Sequence, residues 1–166
     1  MSAGIQDVCK YLNSLGISYR LLRHEAVVTC EQSHEIIRVA DCSSCKSLLV
    51  KDKKSDRYFM IVLRSDKRAE MRNFALVVGI AKFEFATEDK LREISGVERG
   101  SVSPFCYLNE SCNIAPLMLD RDILTAKYVK FHPCDNTATL VLTVADFLKY
   151  LGSINIEPIL LTSSQD

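Results

Sequence analysis

The sequence lacks a net charge, a tryptophan and any long apolar run. Lys plus Arg and Asp plus Glu each total 21 of 166 residues, so no global field draws the chain to polyanions, and any nucleic-acid contact must be a local patch. No apolar stretch approaches the roughly 18 residues of a membrane span. Met1 to Lys10 has no basic start followed by an apolar stretch, as a signal peptide would. The expectation is a cytoplasmic protein with no membrane partner. Internal repeats, linkers and low-complexity segments are also missing. The cysteines, at 9, 30, 42, 45, 106, 112 and 134, are odd in number and scattered, unlike a secreted disulfide framework. Cys42 and Cys45 alone have metal spacing, and no second half of a zinc site accompanies them.

What is present is an ordinary globular composition, 48% hydrophobic and 25% charged, enough to form a full core without staples. The length points to one domain over residues 1–166. Ile5, Val8, Leu12 and Leu15 recur at helical spacing, with Ser2 as N-cap and Gly16 past the end. Ile17 to Arg23 reads as a strand, and Thr29-Cys30-Glu31-Gln32 as a capping box opening a helix with Ile36, Ile37 and Ala40. Lys46 to Lys51 and Tyr58 to Leu63 flank a polar turn and predict a hairpin, with Lys46 at the start of its first strand. A helix over Ala69 to Val78, a strand at Lys82 to Phe85 and a Thr87-capped helix closed by Gly96 follow. Strands are predicted near Phe105 to Leu108, Pro116 to Leu119, Lys127 to Phe131 and Thr139 to Leu142, before a last helix capped by Thr143. Strands outnumber helices and often follow one another directly. This predicts a mixed α+β fold of the α/β class, a mostly antiparallel or mixed sheet flanked by helices, over a doubly wound one.

Chemistry has few places to reside. Histidines occur only at 24, 34 and 132. Cys134 lies two residues from His132, yet such neighbours on one strand or turn tend to diverge, which speaks against a Cys-His nucleophile. Cys42-Ser-Ser-Cys45-Lys46 echoes a thioredoxin motif without its tryptophan or a βαβ pattern. A thiol redox protein would need a low-pKa thiolate there. Two loops are stronger candidates. Gly100 to Pro104 sets a permissive glycine four residues before a rigid proline, suited to presenting backbone groups to a ligand. Phe131 to Thr139 gathers an imidazole, an amide and hydroxyls between two strands. Basic residues cluster at Lys51, Lys53, Lys54 and Arg57, and again at Arg64, Lys67, Arg68 and Arg72. If both groups lie on one rim, they form a phosphate-binding strip.

Five segments in register resemble a known family: His24-x4-Thr29-x-Glu31, Cys45-Lys46-Ser47-Leu48, Gly96 to Phe105, Leu119-Asp120, and Phe131-His132-Pro133-x-x-Asn136-Thr137-Ala138-Thr139. The chain is similar to the YbaK-type prolyl-tRNA editing family, and most like its free-standing branch that deacylates alanyl-tRNA(Pro) rather than the branch that clears cysteinyl-tRNA(Pro).

The resemblance implies a hydrolase of the ester joining a wrong amino acid to the terminal adenosine of tRNA. A proline pocket cannot reject a smaller amino acid by more than a few kcal/mol, so a second sieve destroys the product. The implied partners are tRNA(Pro) carrying a wrong amino acid and prolyl-tRNA synthetase or a synthetase complex. No cofactor or metal is implied. By the same resemblance, the catalytic residues are Lys46, which holds the terminal nucleotide or ester, with Gly100 and His132. His24, Thr29, Ser101, Val102, Ser103, Pro104, Asn136 and Thr137 shape the substrate pocket, and Lys51, Lys53, Lys54 and Arg68 contact the tRNA backbone. Two other classes remain open on the residues alone: a non-catalytic tRNA-binding adaptor that keeps the fold, and the thiol redox protein.

Overall fold

The computed structural model describes residues 2–26 and 39–162. The helix expected from Thr29 onward, with Thr29 and His34 themselves, lies outside them. Among the described residues the chain forms α1 (Ile5–Ser14), β1 (Arg20–Arg23), β2 (Cys42–Asp52), β3 (Tyr58–Arg64), α2 (Met71–Val77), β4 (Phe83–Phe85) and α3 (Glu88–Ser95). There follow β5 (Leu117–Asp120), β6 (Tyr128–Phe131), β7 (Ala138–Thr143), α4 (Val144–Ser153) and β8 (Ile159–Leu161), with 3-10 turns at Pro104–Leu108, Glu110–Ile114 and Arg121–Thr125.

The strands join in the order β1-β7-β6-β2-β3-β5-β8, with β4 also on β2. The hairpin β2-β3 is antiparallel, Cys45 opposite Arg64 through Lys51 opposite Tyr58, while β2-β6, β3-β5 and β5-β8 are parallel. The sheet is therefore mixed, and both its faces are buried. Met60 and Val62 of β3 face a core with Val8 and Leu12 of α1, Phe105, and Phe147 and Tyr150 of α4. Phe59, Ile61 and Leu63 face a second core with Phe74 and Ala75 of α2 and Phe83 of β4. Burial on both sides explains why Tyr58 to Leu63 reads as an unbroken apolar run rather than an alternation.

Local signals hold where side-chain chemistry fixes an end. The Thr87 hydroxyl accepts from the Lys90 N–H and that of Thr143 from the Asp146 N–H, capping α3 and α4. Gly96 ends α3 at φ 77°, and a β-carbon there would stand 2.8 Å from Asn109 Nδ2.

Three expectations need correction, and one strand was not expected. The cap of α1 is Gly4, not Ser2, and Asp7 Oδ2 accepts from the Gly4 N–H. Phe105 to Leu108 is not a strand. The Ser103 hydroxyl caps a 3-10 turn with Pro104 at its first position, and Phe105, Cys106 and Tyr107 are all buried, which no half-exposed strand allows. Strand β2 begins at Cys42, so Lys46 lies inside the strand rather than at its start. Strand β8 carries no signal of its own and exists through pairing with β5.

Candidate active site

The sheet has a gap beside β2. Along the edge away from β3, β6 pairs with Cys42 to Ser44 and β4 with Val50 to Asp52. Between them the stretch Lys46 to Leu48 borders a cavity of about 500 Å³. The carbonyls of Asp41 and Leu49 accept from Tyr128 and Ala86 N–H on this edge, whereas that of Ser44 accepts from Ser65 N–H on the opposite one. Backbone polarity alternates along a strand, so Ser47 turns its N–H and C=O into the gap.

On one face of the gap stand Ser44, Lys46 and Leu48. Register places Lys130 opposite Ser44, and His132 follows two residues on. The other side is closed by Leu91 of α3 and by Arg99, Gly100 and Val102, and Phe85 completes the rim. Lys46, Gly100, Val102 and His132, predicted from three separate stretches, thus share one cavity. His24, Ser101, Ser103, Pro104, Asn136 and Thr137 do not line it.

Lys46 is aimed by a chain of contacts. Its ammonium donates to the main-chain carbonyl of Lys67. The Lys67 ammonium donates in turn to Asp120 Oδ1 at 2.8 Å and Asp122 Oδ2 at 2.6 Å, and Asp120 Oδ2 accepts from the Arg64 N–H at 3.0 Å. Burial works against the charge on Lys67, but the two carboxylates outweigh it and raise its pKa. The Lys67 bond leaves further Lys46 donors for a ligand.

The glycine loop is held at both ends. Gly100 has φ 92°, a backbone that favours glycine. The Ser101 N–H donates to the Glu98 carbonyl at 3.1 Å, and the hydroxyl of buried Tyr150 donates to the Pro104 carbonyl at 2.9 Å. Ser103 and Pro104 therefore set the loop's shape from behind.

His132 donates from Nδ1 to the Ala138 carbonyl at 2.8 Å, which leaves the lone pair of the neutral ring on Nε2. Burial lowers its pKa against the pull of that bond, and the nearby His24 adds to the lowering. The ring centroids of His24 and His132 lie 6.1 Å apart. Asp135 Oδ1 accepts from the Thr137 N–H and hydroxyl, and the Thr137 carbonyl accepts from the His24 N–H, so Thr137 ties the loop to β1.

The basic groups do not form one strip. Lys53 and Lys54 occupy the β2-β3 turn and Arg68 follows the far end of β3. They are separated by a ladder of seven residue pairs, about 20 Å. Lys51 pairs with Glu84 at 3.5 Å, Arg64 with Asp66 at 2.7 Å and Lys67 with Asp120, so each already faces an acid.

The thiol alternatives lose their geometry. Cys42 and Cys45 are three apart on one extended strand and point to opposite faces, which no disulfide spans without moving the backbone. Burial raises the Cys42 pKa, the opposite of a reactive thiolate. The Cys134 thiol meets buried Cys106 at 3.9 Å, and the hydrogen bond to it and burial keep Cys134 protonated.

Sequence reasoning missed several residues of the site. Lys130, 5% exposed, lines the cavity, and burial lowers its pKa although Cys42 and Cys45 pull the other way. A lysine in the run Tyr128-Val129-Lys130-Phe131 reads as solvent-facing. Phe85 carried no signal, and Arg99 stood in a recognised segment without an assigned role. Asp120 stood in a recognised segment without an assigned role.

A cation, a left-handed glycine backbone and an imidazole whose Nε2 carries the lone pair stand around an open strand edge, an arrangement able to polarise a bound carbonyl without a side-chain nucleophile. Comparison with known proteins makes the class specific. Residues 24–150 match the family described as aminoacyl-tRNA editing domain. The chain is 31% identical to the prolyl-tRNA editing protein ProX of Acetoanaerobium sticklandii, over 87% of this chain and 88% of that one. It is 25% identical to the multifunctional Ser/Thr-tRNA deacylase ProXp-y of Escherichia coli K12, over 87% and 86%. A solved structure described as a candidate trans-editing enzyme for prolyl-tRNA synthetase shares the fold, with TM-score 0.67 and 16% identity over 98% of this chain and 95% of that one. The chain belongs to the aminoacyl-tRNA editing domain family, and so to the aminoacyl-tRNA hydrolases.

Proposed function

We propose that the chain acts in trans to deacylate mischarged tRNA(Pro), with alanine as the preferred amino acid. The observation that carries this is the convergence of Lys46, Gly100 and His132 on one cavity in a chain 31% identical to a prolyl-tRNA editing protein. The aminoacyl ester enters the gap beside β2. Lys46 holds the terminal nucleotide or the ester, and the backbone around Gly100 lies against the aminoacyl group. His132 Nε2 accepts a hydrogen bond from the attacking water. Attack on the carbonyl places negative charge on its oxygen, near the donors of Lys46 and the loop. Collapse breaks the bond from the carbonyl carbon to the ribose oxygen, which takes up the proton lost by the water through the neighbouring ribose hydroxyl, and leaves free amino acid and uncharged tRNA. The ester is already reactive, so oriented water and electrostatic stabilisation suffice. The neighbouring ribose hydroxyl is the group through which water is activated, and no protein side chain is assigned as general base.

Selectivity follows from size: alanine enters, and the proline ring is excluded. The similarity to a Ser/Thr-tRNA deacylase makes serine the nearest competitor. Cysteine on tRNA(Pro) is the further alternative within the same reaction, and a non-catalytic tRNA-binding or synthetase-complex adaptor is the alternative outside it. The test is the release rate of alanine, serine, cysteine and proline from tRNA(Pro), and of alanine from tRNA(Ala). Alanine leaving tRNA(Pro) fastest, with proline retained, supports the proposal. Preference for serine or cysteine reassigns the substrate, and no release from any charged tRNA removes the enzymatic proposal.

A further inference from the structure

We propose that Phe85 is the platform on which the terminal adenine of tRNA stacks when the ester lies against Lys46, an inference that rests on the deacylase reading above.

Strand β4 places Phe83 and Phe85 on the same face, two residues apart. Phe83 is buried, its ring 5.5 Å from that of Phe59. Phe85 is 66% exposed. Exposure of one apolar residue is ordinary, and position separates this one from the rest. The large exposed hydrophobics among the described residues are Leu76, Val77, Phe85, Ile114, Leu148 and Leu160. Phe85 alone of these is aromatic, and it alone lines the cavity.

The distance suits a nucleoside. Phe85 is paired with Val50, four residues along β2 from Lys46, a span of about 13 Å between backbone positions. Lys46 and Leu48 stand on the same face of β2 as Val50, and both line the cavity that Phe85 lines. An ester held by Lys46 carries its base one ribose away, and the phenyl ring that lines the same cavity is that of Phe85, with Leu48 also in the lining. A phenyl ring offers no base-specific hydrogen bond. It offers area, which a purine fills better than a pyrimidine, and the 3′ end of every tRNA is adenosine. Such a platform holds the common end of the substrate and leaves amino-acid selection to the Gly100 side.

The test uses Phe85→Ala, Phe85→Tyr and Phe85→Trp in the full chain, with three substrates. On Ala-tRNA(Pro), Phe85→Ala is expected to raise KM about 5- to 150-fold, the range for loss of one base-aromatic stack, with kcat within about threefold of the parent value and Tyr and Trp restoring KM. On Ala-tRNA(Pro) lacking only the terminal base, parent and Phe85→Ala are expected to be equally inefficient. Uncharged tRNA(Pro) with 2-aminopurine at the 3′ end should lose fluorescence on binding the parent and keep it with Phe85→Ala. Equal KM for parent and Phe85→Ala on the intact substrate, or an equal penalty with and without the base, overturns the proposal. If the parent hydrolyses no aminoacyl-tRNA, the deacylase reading fails, and the stacking proposal is then decided by the 2-aminopurine signal alone: quenching keeps it and no quenching sinks it.

Discussion

The ammonium of Lys46 donates to the main-chain carbonyl of Lys67, and the side chain of the same Lys67 is gripped by Asp120. The cation that lines the cavity is thus aimed by an acid on another strand, which does not line the cavity itself. Asp120 is buried at the end of β5 and also accepts from the Arg64 and Asp122 N–H groups. It fixes the segment after β3 and through it the direction of Lys46.

Asp120→Ala is expected to lower stability by about 3 kcal/mol, because it leaves a half-buried ammonium with one of two carboxylates and strands two N–H groups. Equilibrium unfolding in urea measures the loss. In the fraction that remains folded, kcat is expected to fall while the cavity stays open to ligand. A variant with parental kcat would show that Lys46 needs no such alignment.

Gly100→Ala tests the loop. At φ 92° a β-carbon strains the backbone by about 1–2 kcal/mol. Relief of that strain rotates the peptide groups that line the cavity. The expected result is a Tm lower by a few degrees and a larger loss in kcat/KM, on the order of 100-fold, than the stability change alone accounts for.

His132 gives the pH dependence its sign. Burial lowers its folded pKa below the ordinary imidazole value of 6.5, so the folded chain binds fewer protons here than the unfolded one. The neutral ring's contribution to stability is complete above that unfolded value and is lost as pH falls beneath it. Activity is expected to be flat through neutrality and to drop on the acid side, where Nε2 takes up a proton and no longer accepts from water. His132→Asn should remove this acid limb at a lower plateau. A rate profile whose acid limb is the same in parent and variant would assign the titration to another group.

Much of the fold is legible in the residues because caps and positive-φ glycines act locally. Thr87, Thr143 and Gly96 each end or begin an element through one contact that the sequence displays. Phe105 to Leu108 misleads because aromatic residues favour strands, while the decisive features are the Ser103 hydroxyl and Pro104 beside them. Lys46, Gly100 and His132 were found as members of motifs, but that they meet depends on a gap between β6 and β4 that only the pairing of β2 creates. Lys130 and Asp120 were invisible as site residues for the same reason. A buried charge has no local signature, and its meaning comes from partners 53 to 86 residues away in the chain, Lys67 for Asp120 and the β2 strand for Lys130.

The measurement that bears most directly on the central claim is single-turnover release of amino acid from Ala-tRNA(Pro) and Pro-tRNA(Pro) by the parent chain and by Lys46→Ala. Lys46 is partly exposed, so the variant is expected to fold as the parent does. The account predicts rapid loss of alanine, retention of proline and a fall of about 100-fold or more with Lys46→Ala. Equal rates for parent and variant, or hydrolysis of Pro-tRNA(Pro) as fast as of Ala-tRNA(Pro), would contradict it.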